Sequence, residues 1–357
     1  MSNIRINNIT NKTGNTGPVV AGVSTVSSST FMIIPSGNVE IRGGGSGRAI
    51  FCGGYTPSIV NTIDMLTIQS TGDSQDFGDL PRATSEMGGF ASAIRGFTAG
   101  GYTPSYVNNI NFVTFSSSGG ANDFGDMTER TWGTNCLANS TRGIIMGGRA
   151  HTDDNPYNGG YMDRILFVEM ATGGQDASLF GDLLRPQEIG LTLGQTGTLT
   201  GATYASTTRG IVAGGGTPRT KVIQFITIAT KGNAQNFGEL SQEASRVTGF
   251  SSPTRGLSAG GFNNTPSATK SNVIEFVTIA TLGNATDFGD LTAQRYSPGS
   301  GSSKTRGVIG GGNTQPAKTN VIDFVTIASA GNASDFGDLT SARMNVRSSD
   351  AHGGLGD

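Results

Sequence analysis

The sequence predicts an all-β fold: a six-bladed β-propeller that is closed by a C-terminal strand and preceded by an extended N-terminal arm. Three observations support this prediction. Two sequence markers recur six times, the strand between them is apolar on both faces, and the last segment supplies a strand that the first repeat lacks. Units of about 50 residues that each contain four strands are typical of propeller blades. We therefore divide the chain into an arm, residues 1–47, and a propeller, residues 48–357.

Each repeat carries two markers. The first is an arginine that precedes a diglycine by five residues, and it recurs at Arg48, Arg95, Arg142, Arg209, Arg255 and Arg306. The second is DFGDL or a close variant, and its phenylalanine recurs at Phe77, Phe124, Phe180, Phe237, Phe288 and Phe336. Both markers have a mean spacing of about 52 residues, which suits one blade per repeat.

The third strand of each blade is expected to be buried on both sides. In the fifth repeat it reads NVIEFVTIA and is rich in β-branched and aromatic residues, which favour strands. Ile274 and Phe276 point to one face, and Val273 and Val277 point to the other. Such strands fit blades that stack face to face around an axis. In the sixth repeat the four expected strands cover residues 295–303, 306–311, 320–328 and 334–340.

The two ends of the propeller complement each other. After the sixth DFGDL segment, residues 340–349 resemble a first strand that has no second strand after it. The unit that begins at Arg48 has the opposite defect, because it starts with a second strand and lacks a first. The C-terminal segment should therefore complete the first blade, and this closure removes the strand edges that promote aggregation.

The repeats resemble the kelch repeat over residues 48–357. The resemblance rests on an arginine that opens the first strand, a diglycine that ends the second, an aromatic residue in the fourth, and acidic–aromatic pairs such as Glu275-Phe276 and Asp323-Phe324 in the third. It implies a kelch-like propeller. The copies depart from the kelch pattern because phenylalanine stands where tryptophan is usual and several diglycines lack an aromatic neighbour.

A second set of arginines accompanies the first strands, at Arg82, Arg130, Arg185, Arg246, Arg295 and Arg343. The kelch resemblance implies that such arginines face the central channel and bind acidic residues of a partner. Alternatively, they pair with the acids that recur in the DFGDL segments, at Asp79, Asp126, Asp182, Glu239, Asp290 and Asp338. We favour this inter-blade pairing, because a cation and an anion that recur in the same register need no ligand to explain them.

The loops after the diglycines are candidate binding loops, since in kelch propellers they often lie on the ligand-facing side. Tyrosine, threonine and asparagine at loop tips suit polar or sugar contacts, although they are also ordinary turn residues. Two irregular regions, residues 149–161 and 190–204, interrupt the repeat pattern. The candidate binding residues are Tyr55, Thr56, Tyr102, Thr103, His151, Asp153, Asp154 and Tyr157.

Composition limits the partners. The 24 lysines and arginines nearly balance the 26 acidic residues, so we expect no nucleic acid and no anionic membrane as a partner. The N-terminal segment has no apolar core and no stretch is long enough for a membrane helix, so we expect a soluble chain without a secretory signal. The 56 glycines lack a Gly-X-Y period, which favours regular turns over collagen or disorder.

The sequence predicts neither catalysis nor a cofactor. His151 and His352 are the only histidines, so a site that needs three is excluded by count. His151, Asp153 and Asp154 share one loop, but their spacing matches no EF-hand, and we expect a solvated loop and no metal. Cys52 and Cys136 are expected to be buried as small apolar residues.

The wording of the repeats resembles propeller proteins of tailed bacteriophages, especially marine and cyanobacterial ones. It is carried by NVIEFVTIATLGNATDFGDL, NVIDFVTIASAGNASDFGDL and the opening NITNKTGNTGP. The resemblance implies a virion structural protein, assembled in the host cytoplasm in multiple copies, whose propeller belongs to a tail, fibre or capsid appendage. Residues 1–47 would contact other virion proteins, and the ring a host-surface glycan or receptor. The alternatives are a kelch-type adaptor that binds an acidic peptide and a carbohydrate-binding lectin.

Overall fold

The computed structural model describes residues 47–154, 160–184, 200–216, 219–263 and 269–350. All of them belong to the second of the two units of the chain, Glu40–Asp357. The expected N-terminal arm lies outside the described residues, apart from Gly47. The described residues form 28 strands and no helix, so they contain no helical segment suited to crossing a bilayer.

The strands group into six blades in chain order. Blades 1 to 3 contain β1 (Arg48–Cys52), β2 (Thr62–Thr67), β3 (Gln75–Asp79), β4 (Gly88–Ala91), β5 (Arg95–Ala99), β6 (Asn109–Thr114), β7 (Asn122–Asp126), β8 (Thr131–Trp132), β9 (Asn135–Ala138), β10 (Arg142–Met146), β11 (Arg149–Ala150), β12 (Arg164–Glu169) and β13 (Ser178–Asp182). Blades 4 to 6 contain β14 (Ala202–Ala205), β15 (Arg209–Ala213), β16 (Thr220–Thr227), β17 (Gln235–Ser245), β18 (Thr248–Ser251), β19 (Arg255–Ala259), β20 (Phe262–Asn263), β21 (Thr269–Lys270), β22 (Val273–Thr278), β23 (Thr286–Asp290), β24 (Gly299–Ser302), β25 (Arg306–Gly310), β26 (Val321–Thr326) and β27 (Ser334–Asp338). The last strand is β28 (Arg347–Asp350).

Every blade has a four-stranded antiparallel sheet whose first strand packs around the axis. Blade 2, for example, has the order β4-β5-β6-β7. The six first strands contact one another in a ring, which β28 completes between β24 and β4. The short strands β8 and β11 form a separate pair, and β20 and β21 extend the sheet of blade 4.

The predicted ring closure is confirmed. Blade 1 has the order β28-β1-β2-β3, so its first strand comes from the C-terminal segment. The pairing is antiparallel and runs from Cys52 opposite Arg347 to Ala49 opposite Asp350. The first and last parts of the described chain therefore share one sheet.

The hydrophobic core consists of six clusters, one between each pair of neighbouring blades. Strand β22 contributes to two of them: Ile274 packs with blade 6, while Val277 packs with blade 4. The prediction that the third strands are buried on both faces is thus confirmed. The phenylalanine of each DFGDL segment is 3–4% exposed and lies in one of these clusters, at Phe77, Phe124, Phe180, Phe237, Phe288 and Phe336.

The DFGDL segment forms the contact between neighbouring blades. Its phenylalanine occupies a β-bulge, since Ile274 pairs with Gly289 whereas the next residue, Glu275, pairs with Asp287. The bulge brings the following glycine against the third-to-fourth-strand turn of the next blade. A Cβ on Gly289 would overlap the backbone of Gly331, and the equivalent overlap occurs in all six blades. Glycine is required there by close backbone approach.

The marker arginines tie each blade to the next. The guanidinium of Arg255, for example, donates to the carbonyl oxygens of Ile327 and Ala328 at 3.1 and 2.9 Å. In five blades it also lies 4.6–4.7 Å above the aromatic ring of its own third strand, as Arg255 does above Phe276. In the other five blades the marker arginine makes the equivalent hydrogen bond to a carbonyl oxygen of the next blade: Arg48 to Phe115, Arg95 to Thr172, Arg142 to Ile228, Arg209 to Ile279 and Arg306 to Ile68.

The first strand of blade 6 is shorter than the expected residues 295–303. It covers only Gly299–Ser302, because Ser297 has a left-handed backbone with φ of 53° and Pro298 has no N–H for the ladder. Arg295 consequently lies in the linker before the strand and turns into the blade.

Candidate functional site

One face of the propeller gathers the candidate binding loops. It is formed by the loops between second and third strands and by the linkers that enter the first strands, and we call it the loop face. The loop and the linker of one blade pair with each other through isolated bridges, as Tyr55 pairs with Met344 and Tyr102 with Ser85. The marker arginines lie at the opposite ends of the strands.

A ring of backbone hydrogen bonds encircles the axis at the loop face. The second residue before each first strand has a positive φ between 49° and 69°, at Glu86, Gly133, Thr200, Arg246, Ser297 and Asn345. Each links to the equivalent residue of a neighbouring blade over 2.8–3.4 Å, and the link to Thr200 is made by the N–H of Val247. This axial ring was not predicted, because its six residues share no side-chain type.

Four side chains of the axial ring form a polar cluster. Arg246 Nη1 lies 3.4 Å from Glu86 Oε1, Ser297 Oγ and Asn345 Oδ1. Asn345 Nδ2 donates to Glu86 Oε1 at 2.9 Å. Burial raises the pKa of Glu86 more than Arg246 and Arg347 lower it. Among the second-set arginines within the described chain, Arg246 alone lies in this axial cluster, and Glu86 balances its charge.

Behind the axial ring the first strands enclose a cavity of about 110 Å³. Small residues let the strands approach closely: a Cβ on Gly89 would overlap the backbone of Ser348, and one on Gly249 the backbone of Thr203. Between the neighbouring first strands of blades 5 and 6, Thr248 Oγ1 and Ser300 Oγ lie 2.6 Å apart. The cavity thus has space for a few ordered waters.

Arg295 and Arg343 lie inside their blades. Arg295 Nη2 is 3.1 Å from Asp323 Oδ2, Arg343 Nη2 is 2.9 Å from Asp64 Oδ2, and all four side chains are at most 1% exposed. The expected pairing with the DFGDL acids is therefore wrong for these two arginines. Their partners are third-strand acids, which face the linker where each arginine sits.

The remaining second-set arginines differ from one another. Arg82 is exposed, and Arg185 lies outside the described residues. Arg130 binds Asp154 of the irregular loop, with Nη2 2.8 Å and Nε 3.1 Å from Oδ1. Burial opposes ionisation of Asp154, but the hydrogen bonds from Arg130 outweigh it and lower its pKa. The six arginines are not one structural set, because their offsets from the first strand differ.

Two of the predicted loop-tip residues support their own turns. Thr56 Oγ1 and Thr103 Oγ1 donate to the carbonyl oxygens of Ser58 and Ser105 at 3.0 and 2.9 Å. Tyr55 lies beneath Lys318 of blade 6, whose Nζ is 4.4 Å from the ring centroid. The candidate Tyr157 lies outside the described residues.

Tyr102 and His151 are brought together by Tyr106, which also contacts Trp132, and neither Tyr106 nor Trp132 was predicted as a site residue. The ring of Tyr106 lies 6.1 Å from Tyr102, 6.0 Å from Trp132 and 5.5 Å from His151. We call these four side chains the aromatic patch. It spans blades 2 and 3 on the loop face, and Tyr102 is 39% exposed. Trp132 is the only tryptophan of the chain, and this was the one sequence feature by which the aromatic patch could be found.

Charged side chains border the aromatic patch. His151 Nδ1 lies 3.4 Å from Asp153 Oδ2, and Asp153 is also 3.6 Å from Arg130 Nη2. The Asp153 side chain is 71% exposed, so its carboxylate faces solvent. Within the part of the chain that the structure describes, no group of three or more His, Cys, Asp and Glu side chains is arranged to hold a metal ion.

These features define the class of protein as a six-bladed β-propeller with an aromatic patch on its loop face. In comparisons with known proteins, no family model and no curated protein matches the chain.

Proposed function

We propose that this propeller is a non-catalytic binding module of a virion, part of a tail, fibre or capsid appendage, and that its aromatic patch contacts a host-surface glycan. The virion assignment is supported by the wording of the repeats, which resembles propeller proteins of tailed bacteriophages. Residues 1–47 lie outside the repeats and are the proposed contact with other virion proteins.

The aromatic patch is the observation that carries the binding proposal. The four side chains come from three segments of two blades. Tyr106 meets Tyr102 and His151 edge to face and Trp132 at a tilt of 52°, and these contacts fix the ring orientations without a ligand. Exposed aromatic faces stack on the apolar faces of sugar rings, and phenol groups bond hydroxyls at a low entropic cost. Asp153 adds a solvent-facing acceptor at the border of the patch.

The blade contacts support a rigid presentation of this patch. Each blade is tied to the next by a marker arginine, a DFGDL contact and the axial ring. A preformed surface binds with a smaller ordering cost than a loop that folds on contact. The proposed role needs only such a surface.

Glycan binding is tested with an array probed by the full chain and by a Tyr102→Ala variant. We expect selective binding that falls at least about tenfold in the variant, because exposed aromatic anchors dominate such contacts. Tyr55→Ala is the matched control, since Tyr55 is a loop-tip tyrosine outside the patch. Absence of any selective glycan, or an equal loss in both variants, would contradict the proposed ligand class.

The virion assignment has a separate test. Mass spectrometry of purified particles should detect this chain at a stoichiometric level together with known virion proteins. Its absence from particles, with detection in the lysate, would refute the assignment and leave the binding proposal standing.

A second candidate function is a protein-interaction module that binds an acidic segment. Arg246 favours it, because its side chain lies at the axis and is 29% exposed. Glu86 already contacts the same guanidinium, so a partner carboxylate would compete with it. Titration with an acidic peptide, compared between the full chain and Arg246→Ala, distinguishes this function from glycan binding.

A further inference from the structure

Blades 1 and 6 each bury an arginine at an equivalent place. In blade 6 Arg295 donates to Asp323, to the carbonyl oxygen of Val321 at 3.0 Å and to that of Gly311 at 3.3 Å. The same Asp323 accepts the backbone N–H and the hydroxyl of Thr292 at 3.0 and 2.7 Å. Blade 1 repeats the pattern with Arg343, Asp64 and Thr340.

Blade 5 contains the carboxylate of this pattern without its arginine. Glu275 occupies the third-strand position of Asp323, and its two oxygens lie 3.2 and 3.4 Å from the backbone nitrogen of Ser241, the counterpart of Thr292. The counterpart of Arg295 is Ala244. Glu275 is 8% exposed, and within the described ranges it has no cationic partner.

The other blades keep the charges matched at this position. Where the arginine is absent, the third-strand residue is also uncharged: the counterparts of Asp323 and Arg295 are Asn111 and Thr84 in blade 2, and Leu166 and Thr131 in blade 3. In blade 4 the position holds Gln224, which accepts the linker N–H of Leu184 at 2.8 Å. Blade 5 is therefore the exception, since it buries a carboxylate and supplies no cation.

A cavity stands where the missing guanidinium would lie. It has a volume of about 20 Å³ and is lined by Ser241, Ala244, Gly260, Val273 and Glu275. These are the counterparts of Thr292, Arg295, Gly311, Val321 and Asp323, the residues of the arginine site in blade 6. Ser241 and Gln242, which also line the cavity, are exposed, so it can be entered from solvent.

We propose that the blade 5 cavity binds the guanidinium group of an arginine side chain supplied by a partner polypeptide. The Glu275 carboxylate forms an ion pair with the guanidinium. The backbone carbonyl groups of Gly260 and Val273 occupy the positions of the Gly311 and Val321 acceptors that Arg295 uses in blade 6. A planar guanidinium suits this arrangement better than an ammonium, because it donates in several fixed directions at once. The inference goes beyond the proposed function, since it involves neither the aromatic patch nor a glycan.

The experiment is a calorimetric titration of the full chain with N-acetyl-arginine amide, with the neutral citrulline analogue and the lysine amide as matched ligands. We expect saturable binding of the arginine amide alone. Glu275→Gln should weaken it at least about tenfold, because a charged partner is replaced by a neutral one. This variant keeps the acceptor for Ser241, as Gln224 does in blade 4.

Two further variants make the outcome specific to this cavity. Ala244→Arg should abolish binding, because its own guanidinium would fill the cavity. Arg295→Ala should create a second binding site in blade 6. The arginine amide should therefore raise the thermal midpoint of this variant by more than it raises the thermal midpoint of the unmodified chain. No saturable binding, equal binding of the citrulline or lysine ligand, or an affinity unchanged in Glu275→Gln would each overturn the proposal.

Discussion

The guanidinium of Arg306 in blade 6 donates to the carbonyl oxygen of Ile68 in blade 1 across 3.0 Å. This bond closes a circle of six equivalent bonds, in which every marker arginine reaches the third-strand end of the next blade. The repeated arginine is therefore an inter-blade tie. It lies at the ends of the strands away from the loop face, so the loop face is free to vary among blades.

Replacing Arg306 with alanine should lower the free energy of unfolding by about 1–2 kcal/mol, because one charge-assisted hydrogen bond and the contact with the Phe324 ring are lost. Urea unfolding followed by fluorescence measures the change. The control is Arg82→Ala, an exposed arginine, for which we expect a change within about 0.5 kcal/mol. Equal effects of the two substitutions would show that the tie contributes nothing.

A chain that ends at Leu339 should lose roughly 10 °C or more in thermal midpoint and should aggregate, because it lacks β28. The edge of β1 is then unpaired, and the buried Val346 no longer packs in its cluster. Differential scanning calorimetry and light scattering measure both effects. A chain that ends at Asp350 is the control, since it keeps every described strand. Unchanged stability of the shorter chain would refute closure by the C-terminal strand.

Gly238→Ala should destabilise the protein by about 2–3 kcal/mol, since its Cβ would overlap the carbonyl of Gly283 in the next blade. Backbone strain does not contribute, because Gly238 has no left-handed φ. Gly331→Ala is the matched control, with open space around the added methyl and an ordinary φ. It should be neutral or stabilise by up to about 1 kcal/mol. Chemical denaturation measures the free energy of unfolding of both variants, and a similar loss in the two would contradict the close-approach explanation.

The repeat period was sufficient to predict the blades and the closure. Burial of one strand on two faces follows from residues such as Ile274 and Val277, whose positions can be read from the sequence alone. The correct acids were harder to identify. An acid recurs at the position of Asp338 in all six repeats, whereas Asp323 has only two acidic counterparts, Asp64 and Glu275, so reasoning from recurrence favoured the wrong partner for Arg295.

The site was less predictable than the fold. The axial ring depends on a backbone conformation that Glu86, Thr200 and Arg246 share, and no side-chain pattern reports it. The aromatic patch depends on contacts between different loops of two blades, so Tyr106 and Trp132 carry no repeat signal. Structural features that recur in every blade can be predicted from one sequence, whereas contacts between residues that do not recur are found only in the structure.

Cys52 and Cys136 should resist thiol reagents in the folded protein. Both thiols are buried, as predicted, and burial raises the pKa of each to about 12. At pH 8 only about one thiol in ten thousand is then ionised, and the thiolate is the reactive form. Ellman's reagent should modify neither cysteine in buffer and both in concentrated urea. Rapid modification under native conditions would show that these blades open locally.

Glu275→Gln should stabilise the protein at neutral pH and have no effect in acid. Burial raises the pKa of Glu275 above its ordinary value of 4.5, an effect that the hydrogen bond from Ser241 only partly offsets. A carboxyl group with a raised pKa binds its proton more tightly in the folded state, so its unfavourable contribution to stability grows as the pH rises from the unfolded-state pKa to the folded-state pKa and is complete above it. Glutamine has no such transition and keeps an acceptor for Ser241. Thermal midpoints of both proteins between pH 4 and pH 8 should therefore diverge with rising pH and converge toward pH 4.5. Midpoints that diverge in the opposite direction would mean that a cation inside the protein already neutralises Glu275.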